Sequence, residues 1–295
     1  MTEHTTIEWA NHTFSPWLGC SRVHAGCANC YAEAMAGRLG VTWGPNGTRR
    51  RTSDATWRQV ERWNRQAAND FQACRIVGVD PLPHPRVFPS LCDPFEDWHG
   101  HMLDKNGAMA WNENGGSMTM DDVRRDFFAL IDRCQNLDFL LLTKRPENIR
   151  DMWPSAYWMM DGVGRKRDNV WLLYSASDQG GLNTGLPHMM GCRSLTPVLG
   201  LSLEPLIGPV DLSGWLYPMS DDVRDAVDWV IVGGESGPHH RSMDIAWITS
   251  IAEQCQSAGV PLFVKQDCGR KAGQQGRIHD AMWARKEFPN VSVKP

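Results

Sequence analysis

Six short, nearly continuous apolar runs leave this chain few folds to choose from: Pro85–Leu91, Asp138–Thr143, Val170–Ala176, Val198–Leu203, Trp229–Val232 and Val260–Lys265. Each is cut off by polar, Gly or Pro residues. Strands covered on both faces read this way, because crossover helices bury the two sides of a parallel sheet. Pro89 marks the first run as the least regular. Helical patterns fall between the runs. Thr119 and Asp122 form a variant capping box that opens a stripe of Val123, Phe127, Leu130, Ile131 and Cys134. Ile245, Ile248, Ile251, Cys255 and Ala258 form a second stripe, with Gly259 as terminator. A third helix is predicted from about Asp54 to Phe71, with Trp57, Val60, Ala67 and Phe71 inward, and Pro146 suits a first helical turn. Strand–helix alternation implies parallel pairing through right-handed crossovers. With one more strand before Cys20, about seven strands result, and a complete or partial parallel (β/α) barrel is the expected α/β architecture. A doubly wound open sheet is the alternative. We expect residues 1–295 to form one domain, with loop-rich connections at about 39–52, 97–118 and 157–168.

Composition narrows the function. A formal net charge of −4 excludes general electrostatic wrapping of nucleic acid, so any such contact needs local basic patches. No apolar run is long enough to span a bilayer. Met1–Trp9 is polar and acidic and does not read as a signal peptide, so a cytoplasmic location without membrane partners is expected. Nine cysteines, an odd number, fit a reduced chain better than a disulfide framework. The fourteen tryptophans read mainly as core filling and surface anchors.

Three of the cysteines are clustered. Cys20, Cys27 and Cys30 give C-x6-C-x2-C, with Gly19 and Gly26 each preceding a cysteine and an Ala-rich helix predicted over Tyr31–Leu39. Three thiolates can hold three irons of a [4Fe–4S] cube and leave the fourth open. An open iron can chelate the amino and carboxylate groups of S-adenosylmethionine (SAM), whose sulfonium is then reductively cleaved to a 5′-deoxyadenosyl radical. Zinc held by Cys20, His24, Cys27 and Cys30 is a competing reading, and three buried hydrophobic thiols are another.

Beyond the cysteines, Ile7–Trp9, Tyr31–Glu33, Leu141–Pro146, Leu201–Leu206, Val230–Gly237 and Phe263–Gln266 resemble blocks of a phage-associated, three-cysteine-motif radical-SAM-like family of unknown function. The Gly-Cys…Cys-x-x-Cys-Tyr-Ala segment is also similar to that of spore photoproduct lyase. The resemblance implies a radical SAM barrel, a [4Fe–4S] cluster on Cys20, Cys27 and Cys30, SAM as cofactor, and a flavodoxin-like or ferredoxin-like electron donor. It implies a nucleotide or DNA substrate, in the host cytoplasm if the chain is phage-encoded. One possible reaction is an isomerase-type rearrangement of amino-acid-modified thymine during phage thymidine hypermodification. A photoproduct-lyase-like repair enzyme and a zinc-stabilised, non-catalytic nucleic-acid-binding protein are the alternatives. The sequence departs from the usual radical SAM signature in its six-residue first gap and in Asn29, which stands where an aromatic residue is usual.

Several runs end in polar residues that would ring one barrel mouth. Asp93, Lys144, Arg145, Ser175 and Glu204 are candidate cofactor-binding residues; Glu204, Glu235, Lys265 and Cys268 are candidate catalytic ones. Gly233 and Gly234 would permit close approach of a ligand. Arg49–Arg51, with Trp43 and Trp57 nearby, could form a phosphate and base-stacking patch, although short charge runs are usually solvated loops.

Overall fold

A computed structural model describes residues 5–154, 164–218 and 226–291. Seven strands, β1 (His12–Thr13), β4 (Arg86–Phe88), β5 (Asp138–Thr143), β6 (Val170–Ala176), β7 (Val198–Leu203), β8 (Trp229–Gly233) and β9 (Leu262–Gln266), pair in that order. Every pairing is parallel, in registers such as Val87↔Phe139 and Leu172↔Leu199. The sheet curls into a half-barrel. Its spatial order follows the chain without reversal, whereas a doubly wound sheet reverses at a switch point. β1 and β9 are the two ends of this order, so the barrel is partial, not complete. A separate hairpin-like pair, β2 (Trp17–Leu18) and β3 (Arg50–Arg51), is antiparallel.

The helices are α1 (Tyr31–Ala34), α2 (Ala36–Leu39), α3 (Asp54–Val77), α4 (Met120–Arg133), α5 (Ile149–Met152), α6 (Gln179–Met190), α7 (Ile245–Ala258) and α8 (Asp280–Trp283). α3 runs past the predicted end at Phe71 because no breaker intervenes before Gly78, which terminates it at φ 72°. The helix predicted over Tyr31–Leu39 is broken at Met35. Its N-cap is Cys30, which makes no side-chain cap bond, and Gly37 weakens the second half. β4 is shorter than Pro85–Leu91, since Pro85 and Pro89 donate no ladder hydrogen bond. The 97–118 connection folds through isolated bridges such as Leu103↔Met109 and Trp111↔Ser117. Residues 157–163 of the 157–168 connection lie outside the described residues.

Side-chain alternation sorts the strands into two cores. Phe139, Leu141, Leu172, Leu201, Val230 and Val264 meet the helices through Val60, Phe127, Leu182 and Ile248. The opposite parity faces inward: Leu140, Trp171, Leu173, Val198, Trp229, Ile231 and Phe263 form an aromatic-rich floor with Trp9 and Phe88. Ile7 near the beginning of the chain and Phe288 and Val291 near its end pack on that floor, and Lys286 pairs with Glu8 at 2.6 Å. Cys134 and Cys255 are core residues, as their helical stripes suggest.

The capping box at α4 is complete: Thr119 Oγ1 accepts from the Asp122 amide, and Asp122 accepts from the Thr119 amide. Burial would raise the Asp122 carboxyl, but hydrogen bonds from Thr119 and Arg125 outweigh it and hold its pKa at about 2. A depressed carboxyl contributes stability above its unfolded pKa and loses it as pH falls through the folded value. Asp122→Asn should therefore lower stability at pH 7 by about 1 kcal/mol. In thermal melts the gap from wild type should narrow from about pH 4 towards pH 2; a gap constant across that range would contradict the assignment.

Candidate active site at the barrel mouth

The inward parity changes character towards the carboxyl ends of the strands. Leu140 and Leu142 are followed by Lys144, Trp171 and Leu173 by Ser175, Val198 and Gly200 by Ser202, and Phe263 by Lys265. An apolar floor thus carries a polar ring. Lys144 Nζ donates to Ser175 Oγ at 2.6 Å, and Ser175 Oγ donates to the Glu204 carbonyl oxygen at 3.2 Å. Lys265 Nζ pairs with the Glu204 carboxylate, and Gln266 Nε2 reaches the same oxygen at 3.5 Å. Of the residues predicted from the sequence, Lys144, Ser175, Glu204 and Lys265 are brought together in this ring.

Asp93 and Arg145 have a different position. Asp93 accepts from Thr143 Oγ1 (2.7 Å), the Lys144 amide (3.1 Å), the Phe95 amide (3.0 Å) and Arg145 (2.8 Å). Arg145 also donates to the Ser21 carbonyl at 2.9 Å, reaches Glu96 at 3.4 Å, and lies 3.6 Å from Cys20 Sγ. Arg49, fully buried, pairs with Glu96 at 2.7 Å and donates to Ser21 Oγ at 2.8 Å. These groups form a buried network, Arg49–Glu96–Arg145–Asp93, that grips the residue next to Cys20. Burial beside Glu96 and Asp93 pushes the Cys20 thiol up to about 12, with Arg145 opposing.

The remainder of the cysteine loop is held from the other side of the mouth. Glu235 accepts from Arg241 at 2.5 Å and from Asn29 Nδ2 at 2.9 Å, and Arg241 donates to the Ala25 carbonyl at 3.0 Å. Burial would raise the Glu235 carboxyl, but these bonds outweigh it and hold its pKa low. Asn29, the departure from the aromatic position, also bonds the His239 carbonyl at 2.8 Å, a contact an aromatic ring cannot make. Gly26 is pressed onto the end of β6: a Cβ there would lie 2.1 Å from Ser177 Oγ. Gly234 has a different use from the one expected. A Cβ on it would meet the Cys268 amide nitrogen at 2.3 Å, so its close approach is to the β9 loop rather than to a ligand. Cys268 Sγ is held by the Met243 amide at 3.3 Å and by Arg277 at 3.2 Å, beyond β9.

Two buried hydroxyls at this mouth, Ser177 Oγ and Ser202 Oγ, have no partner among the described residues, while His24 Nε2 faces the Ser175 backbone. His24 Nδ1 accepts from the Gly26 amide at 2.9 Å, and burial together with Lys144 lowers its pKa to about 4, which keeps the ring neutral. Buried polar groups are normally satisfied, so the orphans mark where a polar ligand would sit. Tyr31 reaches over the rim, its ring half-exposed and its hydroxyl donating to the Ser90 carbonyl at 2.7 Å. Among the described residues, no three His, Cys, Asp or Glu side chains converge as ligands of one metal ion, the Cys20–His24–Cys27–Cys30 set included. A cubane makes a different demand, one thiolate per iron, so its donors share a face rather than a point.

Sequence reasoning missed Glu96, and it reads Arg49 as part of a basic patch and Asn29 only as a departure from an aromatic position; Ser177 and Ser202 are among the polar run ends expected at the mouth. Glu96 had a visible signal, a second carboxylate three residues after Asp93 beyond a strand end. The Arg49–Arg51 patch divides: Arg49 is internal, and Trp57 is buried under Arg51, its ring 4.7 Å away, so it is closed to base stacking.

A family described as "Protein of unknown function (DUF5131)" matches residues 4–96 and 116–287, most of the chain, and the chain belongs to it. The internal unmatched stretch falls within the 97–118 connection. No curated protein and no solved structure matches.

Glu96→Gln would leave Arg49 and Arg145 buried with one carboxylate between them. Removing one partner of a buried pair costs about 3–5 kcal/mol. A large drop in the urea midpoint is expected, and a shift under 1 kcal/mol would show that the network does not hold the loop.

Proposed function

We propose that the chain is a radical SAM enzyme that acts on a nucleobase or nucleoside, with amino-acid-modified thymine of phage DNA as the specific candidate. The observation that carries this reading is a three-cysteine loop clamped over a polar ring with orphaned buried atoms, at the carboxyl-end mouth of a parallel half-barrel. Active sites of (β/α) barrels lie at that end. The donor set fits a [4Fe–4S] cluster with one open iron: Cys20, Cys27 and Cys30 are free thiols, and Cys30 makes no capping bond that would occupy its sulfur. When bound, the cluster supplies the electron that cleaves SAM to methionine and a 5′-deoxyadenosyl radical.

The chain's own residues then have definite tasks. Lys144 uses one donor on Ser175 and keeps others for the carboxylate of SAM. The Glu204–Lys265 pair offers a carboxylate and an ammonium to ribose hydroxyls or to a polar substrate. Asp93 and Glu235 are positioning residues: through Arg145 and Arg241 they fix the two halves of the cysteine loop. The aromatic floor closes the site from below and excludes water from a reactive radical.

Anaerobic reconstitution with iron and sulfide should give a brown protein with about four irons per chain, forming 5′-deoxyadenosine from SAM under reduction. Alanine at Cys20, Cys27 or Cys30 should abolish both properties. A colourless zinc protein that forms no 5′-deoxyadenosine would defeat the reading in favour of the zinc alternative. Lys144→Met should raise the KM for SAM by about 10-fold or more, the value of one charge-assisted hydrogen bond, with iron content unchanged. An unaltered KM would remove Lys144 from the SAM site.

A further inference from the structure

Beside the cysteine loop, on the same mouth, lies a cleft of about 290 Å³ between the ends of β1 and β4 and the first turn of α3. We infer that it binds the phosphate group of the substrate. This deepens the nucleotide part of the proposed function and rests on it for the substrate's identity, whereas the anion site stands on its own geometry.

The cleft is lined by Arg50, Arg51, Lys105 and several Ser and Thr hydroxyls, with no carboxylate among the lining residues. That is unusual for a chain of net charge −4. Arg50 is half-buried, and neither its side chain nor that of Lys105 forms an ion pair or hydrogen bond among the described residues. Arg51 bonds Asp54 at 2.7 Å and lies over Trp57, which leaves its buried Nε without a partner. α3, 24 residues long, begins at the same wall with Ser53 as its cap and Asp54 in its first turn, so its dipole is already compensated and the positive charge of the cleft comes from the side chains. Unpaired guanidinium donors, an ammonium and hydroxyls converging on one concavity match the charge and acceptor geometry of a phosphate.

The position connects the cleft to the chemistry. Ser90 lines the cleft, and its carbonyl accepts the hydroxyl of Tyr31, the residue after Cys30. Leu18 and Leu91 line it too, and they pack in one small core with Cys30. One layer of side chains therefore separates the anion site from the cysteine loop. SAM carries no phosphate, so the cleft serves the substrate and not the cofactor. The phosphate source is either a free nucleotide or a DNA backbone.

Calorimetry on the full chain with its cluster reconstituted, using inorganic phosphate, thymidine, thymidine 5′-monophosphate and a single-stranded thymidine oligonucleotide, tests the site. Either the monophosphate or the oligonucleotide should bind at least tenfold more tightly than thymidine, and inorganic phosphate should compete. Arg50→Gln combined with Lys105→Gln should remove that advantage, with melting temperature and iron content unchanged. Oligonucleotide binding that exceeds that of the monophosphate and weakens steeply with salt assigns the site to DNA; the reverse order assigns it to a free nucleotide. Equal binding of thymidine and both phosphorylated probes, or an advantage that survives the double substitution, would overturn the inference. Failure of the radical reading is read separately, as absence of 5′-deoxyadenosine from the wild type, and leaves the phosphate measurement standing.

Discussion

Two arginines and two carboxylates, Arg49, Glu96, Arg145 and Asp93, share a buried network on which the position of Cys20 depends. Burying four charges is costly unless each is paired and hydrogen-bonded. Here Ser21 supplies both its hydroxyl and its carbonyl to complete the set. The cysteine loop is therefore part of the charge balance and cannot move independently of it. The rigidity is local, since Arg241 and Glu235 secure the other half of the loop by a separate pair.

The half-barrel converts a two-residue periodicity into a vertical division of labour. One parity of each strand belongs to the helices, and the other begins as aromatic floor and ends as polar ring. The switch from Leu142 to Lys144 and from Leu173 to Ser175 falls at the level of Ser202, because parallel strands in register bring equivalent positions side by side, whereas on β8 and β9 Ile231 and Phe263 extend the floor through that level and Lys265 follows two residues higher.

Much of this architecture was legible in the chain. The apolar runs located six of the seven sheet strands, since strands buried on both faces cannot tolerate polar interruption. The seventh, His12–Thr13, is two residues long and leaves little pattern to read. The ring residues were legible as polar ends of apolar runs, but their roles were not. Asp93, Arg145 and Glu235 look like ligands in sequence because they are charged at strand ends, yet their hydrogen-bonding capacity is directed to other protein groups. That distinction depends on contacts between residues far apart in sequence, such as Asn29 with Glu235 and Arg49 with Glu96. Gly234 was misread for the same reason, its close neighbour being the chain itself at Cys268.

The aromatic floor also bears on the order of assembly. Trp229 donates its indole N–H to the Glu287 carbonyl at 2.9 Å, and the Phe288 ring packs on the same indole, tilted by 36° with centroids 5.3 Å apart. During synthesis the tryptophans and phenylalanines of β6 to β9 thus emerge from the ribosome before the segment that covers them. Until that last stretch is translated, the nascent half-barrel presents a greasy underside to the cell, and it is there that a chaperone would have most to shield.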